Sequence, residues 1–467
     1  MHLFDKETYI LRREKLKAEM KDGLLLFIGN EEASFNYPAN TYAFRQDSNF
    51  LYFFGLDLYN LVGVIDVDAD KDYIYGNDVD IDDIIWMGPQ PSIKDLGDKV
   101  GVKHTNNLES LQQMLTEAIQ QGRKIHFLPP YRGEHKLQLS NLLGLRPCSV
   151  KDNVSQDLIK AVVKIREIKE EQEIVEIEKA VDIAYEMHTT SMRMAATPGR
   201  IEREIAGTIE GISLAKGGPV SFPIILSVHG ETLHNHHHDN TIELGQMMVT
   251  DGGAETTMHY ASDITRTVPV GGKFNDRQRG VYQAVLDANV KAIEAIKPGL
   301  EYREIHFLAC KVLVEGLIKQ GIMKGDAQAA VDAEAHTLFM PHGLGHQMGL
   351  DVHDMEGLGE NNVGYDENTI RSSNFGTAYL RLGKALKPGI VLTVEPGCYF
   401  IPALIDQWKA EQKHSEFINY DVVETYKDFG GIRIEDDILV TETGYRLLGK
   451  PIPKTIDEVE AVMSNPL

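Results

Sequence analysis

The stretch MMVTDGGAETTMHYASDITRT, Met247 to Thr267, decides how this chain is read. Met247 to Thr250 is a short run of apolar and β-branched residues, the composition of a buried strand, and it runs directly into Asp251-Gly252-Gly253. Asp263 follows 12 residues after Asp251, within Tyr260-Ala261-Ser262-Asp263-Ile264-Thr265-Arg266-Thr267. A hairpin joining the two segments faces the two acids together. Carboxylates on buried strands need partners, because an ionised group stripped of water is costly unless something compensates it.

Three further places bring the same chemistry into strand or turn settings. One is Pro341-His342-Gly343-Leu344-Gly345-His346, continuing through Gly349-Leu350-Asp351-Val352-His353-Asp354. The others are Glu395, in Thr393-Val394-Glu395-Pro396-Gly397, and Glu435, in Gly431-Ile432-Arg433-Ile434-Glu435-Asp436-Asp437. From Ile432 to Val440 the residues Ile432, Ile434 and Ile438 alternate with Arg433, Glu435 and Asp437, the period of a strand with one apolar and one polar face. Singly, Asp251 reads as a turn residue, Glu395 as a strand end before Pro396 and His346 as a hydrogen-bonded loop histidine. Together, four acids and one imidazole offer hard oxygen ligands with one nitrogen, a set able to bridge two divalent ions. No cysteine stands at these positions, which disfavours thiolate-seeking metals and leaves manganese, cobalt, iron and zinc.

Around this centre the chain has two parts. Residues 7 to 20 read as an amphipathic helix with apolar Ile10, Leu11, Leu16 and Met20. A strand at Leu24 to Ile28 opens an α/β alternation that continues through Leu61 to Val67, Tyr73 to Tyr75, a helix near Leu111 to Ile119 and a strand at Ile125 to Leu128. The expected organisation is a smaller N-terminal α/β domain over residues 1–155 and a catalytic domain over 156–467, connected by one long helical stretch from Ile159 to Ala196. Pro198-Gly199, followed by Arg203-Glu204-Ile205, returns as Pro298-Gly299, followed by Arg303-Glu304-Ile305, 100 residues later. That period is too long for a solenoid and indicates a domain of two similar halves.

Composition narrows the function classes. With 467 residues, 42% hydrophobic and 25% charged, the chain is long enough for two or three cores and is neither disordered nor membrane-like in composition. Its 47 basic against 70 acidic residues give −23, a field that repels phosphate backbones and anionic lipid, so neither nucleic acid nor a membrane is an expected partner. Three scattered cysteines, Cys148, Cys310 and Cys398, suit a reducing, cytoplasmic setting.

Asp251, Asp263, His346, Glu395 and Glu435, in this order and these settings, resemble the ligand set of the pita-bread metallopeptidases, which include methionine aminopeptidase, aminopeptidase P and prolidase. Tyr42-Ala43-Phe44-Arg45-Gln46-Asp47-Ser48-Asn49-Phe50-Leu51-Tyr52-Phe53-Phe54-Gly55 resembles the N-terminal domain of the proline-selective branch. The 12-residue interval between the aspartates is one longer than the commonest family spacing, which a β-bulge could absorb. The resemblance implies an α+β fold with a pseudo-twofold pita-bread catalytic domain, and a homodimer or higher homo-oligomer. It also implies two divalent ions, manganese first, acting on a peptide whose second residue is proline. The expected reaction is hydrolysis by a water whose pKa two cations lower.

The same resemblance assigns roles. Asp263 and Glu435 bridge the ions, Asp251 binds one, and His346 and Glu395 bind the other. Glu395 also relays the proton from water to the leaving amine. His353 and His234, the latter 17 residues before Asp251, would hold substrate or stabilise charge on the carbonyl oxygen, while His236, His237 and His238 read as surface. His342, Tyr399 and Arg433 are further pocket candidates, Arg433 because it shares the polar face with Glu435. Arg381, in Leu380-Arg381-Leu382-Gly383, is placed like an arginine that grips the dipeptide carboxylate in prolidases, whereas Phe50 to Gly55 looks like aminopeptidase P. An Xaa-Pro aminopeptidase is therefore the first expectation and an Xaa-Pro dipeptidase the second. A metal-free binding member of the fold and a creatinase-like hydrolase are both opposed by the complete set of five ligands. Trp86 is expected in the core.

Overall fold

The computed structural model describes residues 2–467. Two units result: one runs to Arg166 and includes Met355–Asn362, and the other comprises Glu167–Asp354 and Val363–Leu467.

In the first unit the fully apolar run Leu24–Ile28 forms the strand its composition requires, buried at every position. It lies between Val62–Asp66, antiparallel, and Ile125–Phe127, parallel; Lys71–Tyr75 and His104–Asn106 complete a five-stranded sheet. Leu111, Leu115 and Ala118 line the inner face of the helix Leu108–Gln120 and pack with Leu24, Leu26, Val62, Val64 and Phe127. The first helix, Lys6–Glu19, is turned differently from its apolar pattern: Leu11 is 53% exposed, while Arg12 and Arg13 are buried. Arg13 tolerates this because its guanidinium donates to Phe53 O at 2.8 Å, Val100 O at 2.9 Å and Asp72 at 2.8 Å. Trp86 also departs from expectation. It is 86% exposed on the helix Ile81–Met87, which buries none of its residues.

The second unit has the expected two halves. The long helical stretch is in fact two helices, Gln156–Arg166, which belongs to the first unit, and Glu171–Ala195 in the second, because a Glu170/Glu173 capping box starts the latter afresh. Lys169, in the break, is held by Asp354 at 2.8 Å with both side chains 1% exposed. Glu171–Ala195 packs with Glu202–Lys216, as Asp276–Ala295 packs with Tyr302–Lys319. Both Pro-Gly breaks use a left-handed glycine, Gly199 at φ 92° and Gly299 at φ 83°. Each is anchored alike: Gly199 N–H donates to Ile242 O and Gly299 N–H to Leu386 O, both at 2.8 Å, and Ile201 and Glu301 each form an isolated antiparallel bridge. The repeat of sequence is thus a repeat of geometry.

Each half supplies one three-stranded sheet: Ile225–Ser227, Met247–Asp251 and Thr265–Pro269 in the first, and Val391–Val394, Asp436–Val440 and Tyr445–Leu447 in the second. The alternating run from Ile432 to Val440 is not one strand. Gly431–Arg433 pairs with Gly397–Tyr399, and after a break at Ile434 and Glu435 the chain pairs again as Asp436–Val440 with Val391–Val394. Both faces are buried throughout, so the polar residues turn into the interior instead of toward water.

Candidate metal centre

The hairpin that begins at Met247 sets the first two acids. Asp251 stands opposite Thr265, and the same register holds at the isolated bridge between Glu255 and Ala261, so no bulge intervenes. The even 12-residue interval then places Asp263 one diagonal step from Asp251 on the same face. Gly253, opposite Asp263, must lack a side chain: a Cβ there would lie 1.7 Å from Ser262 O. The Asp263 N–H is fixed by donating to Asp437 Oδ2 at 3.0 Å.

The other ligands arrive from the second half. Glu395 N–H donates to Leu344 O at 2.8 Å and Thr393 N–H to His346 O at 3.0 Å, which ties the histidine loop to the strand that ends before Glu395. His346 Nδ1 contacts Gln347 O at 3.0 Å, leaving Nε2 to face Asp263 Oδ2 at 3.4 Å and Glu395 Oε1 at 3.8 Å. Glu435 sits in the break between its two strand segments, its N–H donating to Thr265 O at 3.1 Å. Ligand-capable atoms within 4.8 Å of one another form three overlapping groups: Asp251, Asp263 and Glu435; His346, Glu395 and Glu435; and Asp263, His346 and His353.

Electrostatics shows what this cluster lacks. Burial, then the charges of Glu435 and Asp251, pushes the Asp263 carboxyl well above its ordinary range. Burial, then Glu395 and Asp251, does the same to Glu435. Glu395 is raised to about 7 by burial, with Asp251 adding to the rise and Arg433 and Arg381 opposing it. Burial drives His346 well below its usual value, so its ring is neutral and able to ligate. Asp251 Oδ1 and Asp263 Oδ1 are buried without a hydrogen-bond donor. Acceptor oxygens without donors, beside carboxyls that suppress one another's ionisation, fit divalent cations in number and in hardness.

A second ring of contacts orients the ligands. Arg433 donates to Asp251 Oδ2 at 2.6 Å, to Tyr399 Oη at 2.8 Å and to Thr265 Oγ1 at 3.1 Å; Thr265 in turn donates to Glu435 Oε2 at 2.6 Å. His342 Nε2 meets Tyr399 Oη at 3.1 Å, and burial, then Arg433, lowers its pKa to about 3. His353 lies ring to ring with His346 at 4.1 Å. All these residues except Tyr399 and Thr265 line one cavity of about 480 Å³, together with His234, Arg381 and an apolar wall of Phe222, Pro223, Ile225 and Leu233. His236 and His237 are both exposed, as a surface reading expects, although His236 reaches the cavity rim, and His238 turns to Leu226 O at 3.0 Å. The sequence reading missed Thr265, Asp437 and the apolar wall. Thr265 was discoverable, since the hairpin register puts it directly across from Asp251.

A two-half α+β scaffold carrying a carboxylate-rich centre with one imidazole defines a metal-dependent hydrolase. The chain belongs to Metallopeptidase family M24, which residues 175–442 match, and residues 9–126 match the N-terminal domain of aminopeptidase P. The human Xaa-Pro dipeptidase is 32% identical over 97% of this chain and 91% of its own length; a probable Xaa-Pro aminopeptidase of Sordaria macrospora is 32% identical over 90% and 87%. Among solved structures, Escherichia coli aminopeptidase P in its low-pH form superposes with TM-score 0.81 at 28% identity, covering 99% of each chain. The same Escherichia coli enzyme has been solved in complex with substrate and, zinc-substituted, with product.

Proposed function

We propose that this enzyme hydrolyses the peptide bond between an N-terminal residue and a following proline. The observation that carries the reading is the single cavity in which Asp251, Asp263, His346, Glu395 and Glu435 meet beside an apolar wall suited to a proline ring. The five residues would hold two divalent cations, manganese first and cobalt, zinc or iron as substitutes. Asp263, Glu435 and His346 each fall in two of the ligand groups, and of these only the two carboxylates have a second oxygen with which to bridge. Bound there, the cations supply Lewis acidity, lowering the pKa of water and polarising a carbonyl.

The chain's own groups do the rest. Glu395, a carboxylate on the cavity wall, would take a proton from the attacking water and deliver it to the leaving nitrogen. Neutral His346 stays a ligand and not a competing acid. His234 and His353, on the cavity wall, hold the substrate and the oxygen on which charge develops. Arg433 keeps Asp251 and Tyr399 in place, and His342 fixes the Tyr399 hydroxyl. Exposed Ile81, Ile85 and Trp86 support a homo-oligomer, and three unpaired cysteines support a cytoplasmic setting. Among the described residues no helix is long and apolar enough to cross a membrane.

The second reading, an Xaa-Pro dipeptidase, rests on Arg381 in the cavity wall, where a cation would pair with a dipeptide's own carboxylate. A cleavage profile on Xaa-Pro dipeptides against Xaa-Pro tripeptides and longer peptides tests both. Turnover of the longer peptides supports the aminopeptidase; cleavage confined to dipeptides reverses the order.

A further inference from the structure

The second unit holds another group of ligating side chains outside the catalytic cavity. His306 and Cys310 stand one turn apart on the helix Tyr302–Lys319, and His336 comes from the 3₁₀ turn Ala335–Leu338. Each is at most 1% exposed, and one ligand atom from each lies within 4.8 Å of the others. Cys310 Sγ is 3.6 Å from His306 Nε2, and the two imidazole centroids are 6.5 Å apart. None of the three lines the catalytic cavity.

A contact from the Cys310 thiol to the His306 ring would by itself be an ordinary core arrangement. His336 is what such an arrangement leaves over. Both of its ring nitrogens are buried without a hydrogen-bond partner, an arrangement that costs free energy in a core unless something else binds there. Burial lowers the pKa of His306 to about 3 and of His336 to about 4, so both rings are neutral and carry a lone pair. Cys310 Sγ is also 3.9 Å from His306 Nδ1, which puts the sulfur over the ring and off either lone-pair axis, so the His306 ring must turn for it to share an ion with Cys310. Sulfur at about 2.3 Å and nitrogen at about 2.0–2.1 Å from one ion, at angles between tetrahedral and trigonal, stand roughly 3.5–3.8 Å apart.

We propose that His306, Cys310 and His336 form a second metal site, for a thiophilic closed-shell cation, separate in place and in chemistry from the oxygen-rich catalytic centre. Sulfur and imidazole donors select copper(I) or zinc over the hard ions that carboxylates hold. Charge decides between the two. One thiolate and two neutral imidazoles sum to −1, so a monovalent ion leaves the buried site neutral and a divalent one leaves it positive, and full burial favours copper(I). Binding replaces the S–H bond of Cys310 by a bond from sulfur to the metal, and the thiol proton leaves to solvent. Because burial pushes the Cys310 thiol up, affinity is linked to pH and rises about tenfold per unit while the free site holds that proton.

The test uses the full-length protein with its catalytic centre saturated with manganese and with Cys148→Ala in the background, since Cys148 is exposed and binds thiophilic ions by itself. Copper(I) is supplied anaerobically from a competing chelator, the protein is separated by gel filtration, and metal content and X-ray absorption are measured; zinc is run in parallel. The parent should retain about one copper per chain with sulfur and nitrogen scatterers. Cys310→Ala and His336→Gln should each retain less than about a tenth as much while keeping manganese content and peptide hydrolysis. Copper retained undiminished in Cys310→Ala, nitrogen and oxygen scatterers alone, or neither copper nor zinc held against the chelator would each overturn the site. Zinc held through sulfur where copper is not would overturn the monovalent assignment. Hydrolysis is read separately, so failure of this site leaves the proposed peptidase reading untouched, and the reverse.

Discussion

Glu395→Gln offers a test of the electrostatic argument that does not depend on turnover. In the metal-free protein the Glu395 carboxyl keeps its proton up to about pH 7, against an ordinary value of 4.5. Between those values the folded state binds the proton and the unfolded state has released it, so stability falls as pH rises, and the full penalty is present above pH 7. A shift of that size corresponds to about 3 kcal/mol. The side chain keeps 19% exposure toward the cavity, and water there reduces the penalty to about 2 kcal/mol. Glutamine carries no charge and escapes it. A unit of roughly 300 residues unfolds with an entropy of about 0.6 kcal/mol per degree, so ~2 kcal/mol is about 3 °C. Differential scanning calorimetry of chelator-stripped parent and variant should show the variant gaining about 3 °C on the parent between pH 4.5 and pH 8. With manganese bound the sign should reverse, because the variant has weakened a ligand. A difference that stays flat across that window in stripped protein would refute the account of Glu395 as a carboxyl raised by burial.

The remaining predictions address single contacts. Glu435→Ala should lower retained manganese, read by elemental analysis, and remove most hydrolysis; full activity without any transition metal would sink the metal reading. Thr265→Val takes a donor from Glu435 and an acceptor from Arg433, and should weaken manganese affinity ~10–100-fold with little change in fold. Gly253→Ala drives a methyl against Ser262 O and should destabilise the second unit by about 3 kcal/mol or more, measured by thermal unfolding. Arg381→Ala should raise KM for Xaa-Pro dipeptides more than for longer peptides; equal effects on both would remove the carboxylate clamp.

What was legible in the chain follows from how local each signal is. Leu24–Ile28 declared itself by an unbroken apolar run, and Asp251 and Asp263 by a hairpin that faces them together, since both depend on neighbours in sequence; the register without a bulge came only with the structure. The Pro-Gly repeat was legible because each copy must make the same left-handed break. Where tertiary partners decide, the pattern misled. Arg12 and Arg13 turn inward because Phe53, Val100 and Asp72 supply acceptors that no helical periodicity reveals, and Leu11 turns outward in consequence. Trp86 is exposed although tryptophan usually buries, because its helix Ile81–Met87 buries none of its residues against the rest of the chain.

The split of Ile432–Val440 shows most clearly why the centre escapes a purely periodic reading. A regular strand would carry Arg433, Glu435 and Asp437 along one face, to solvent or to a single ion. Breaking the strand at Ile434 and Glu435 lets Arg433 reach back to Asp251 and Tyr399, while Asp437 receives the Asp263 amide and Glu435 stands between them. The first-half hairpin and the second-half strand thus hold each other's candidate ligands: Thr265 donates to Glu435, and Arg433 donates to Asp251. Neither half can assemble the cluster alone, and the burial that raises Asp263, Glu395 and Glu435, with the repulsion that adds to it at Asp263 and Glu435, arises only when both are folded. A metal held by this cluster would be coupled to the docking of the two halves, and chelation should speed hydrogen exchange at the contact between them before it unfolds either.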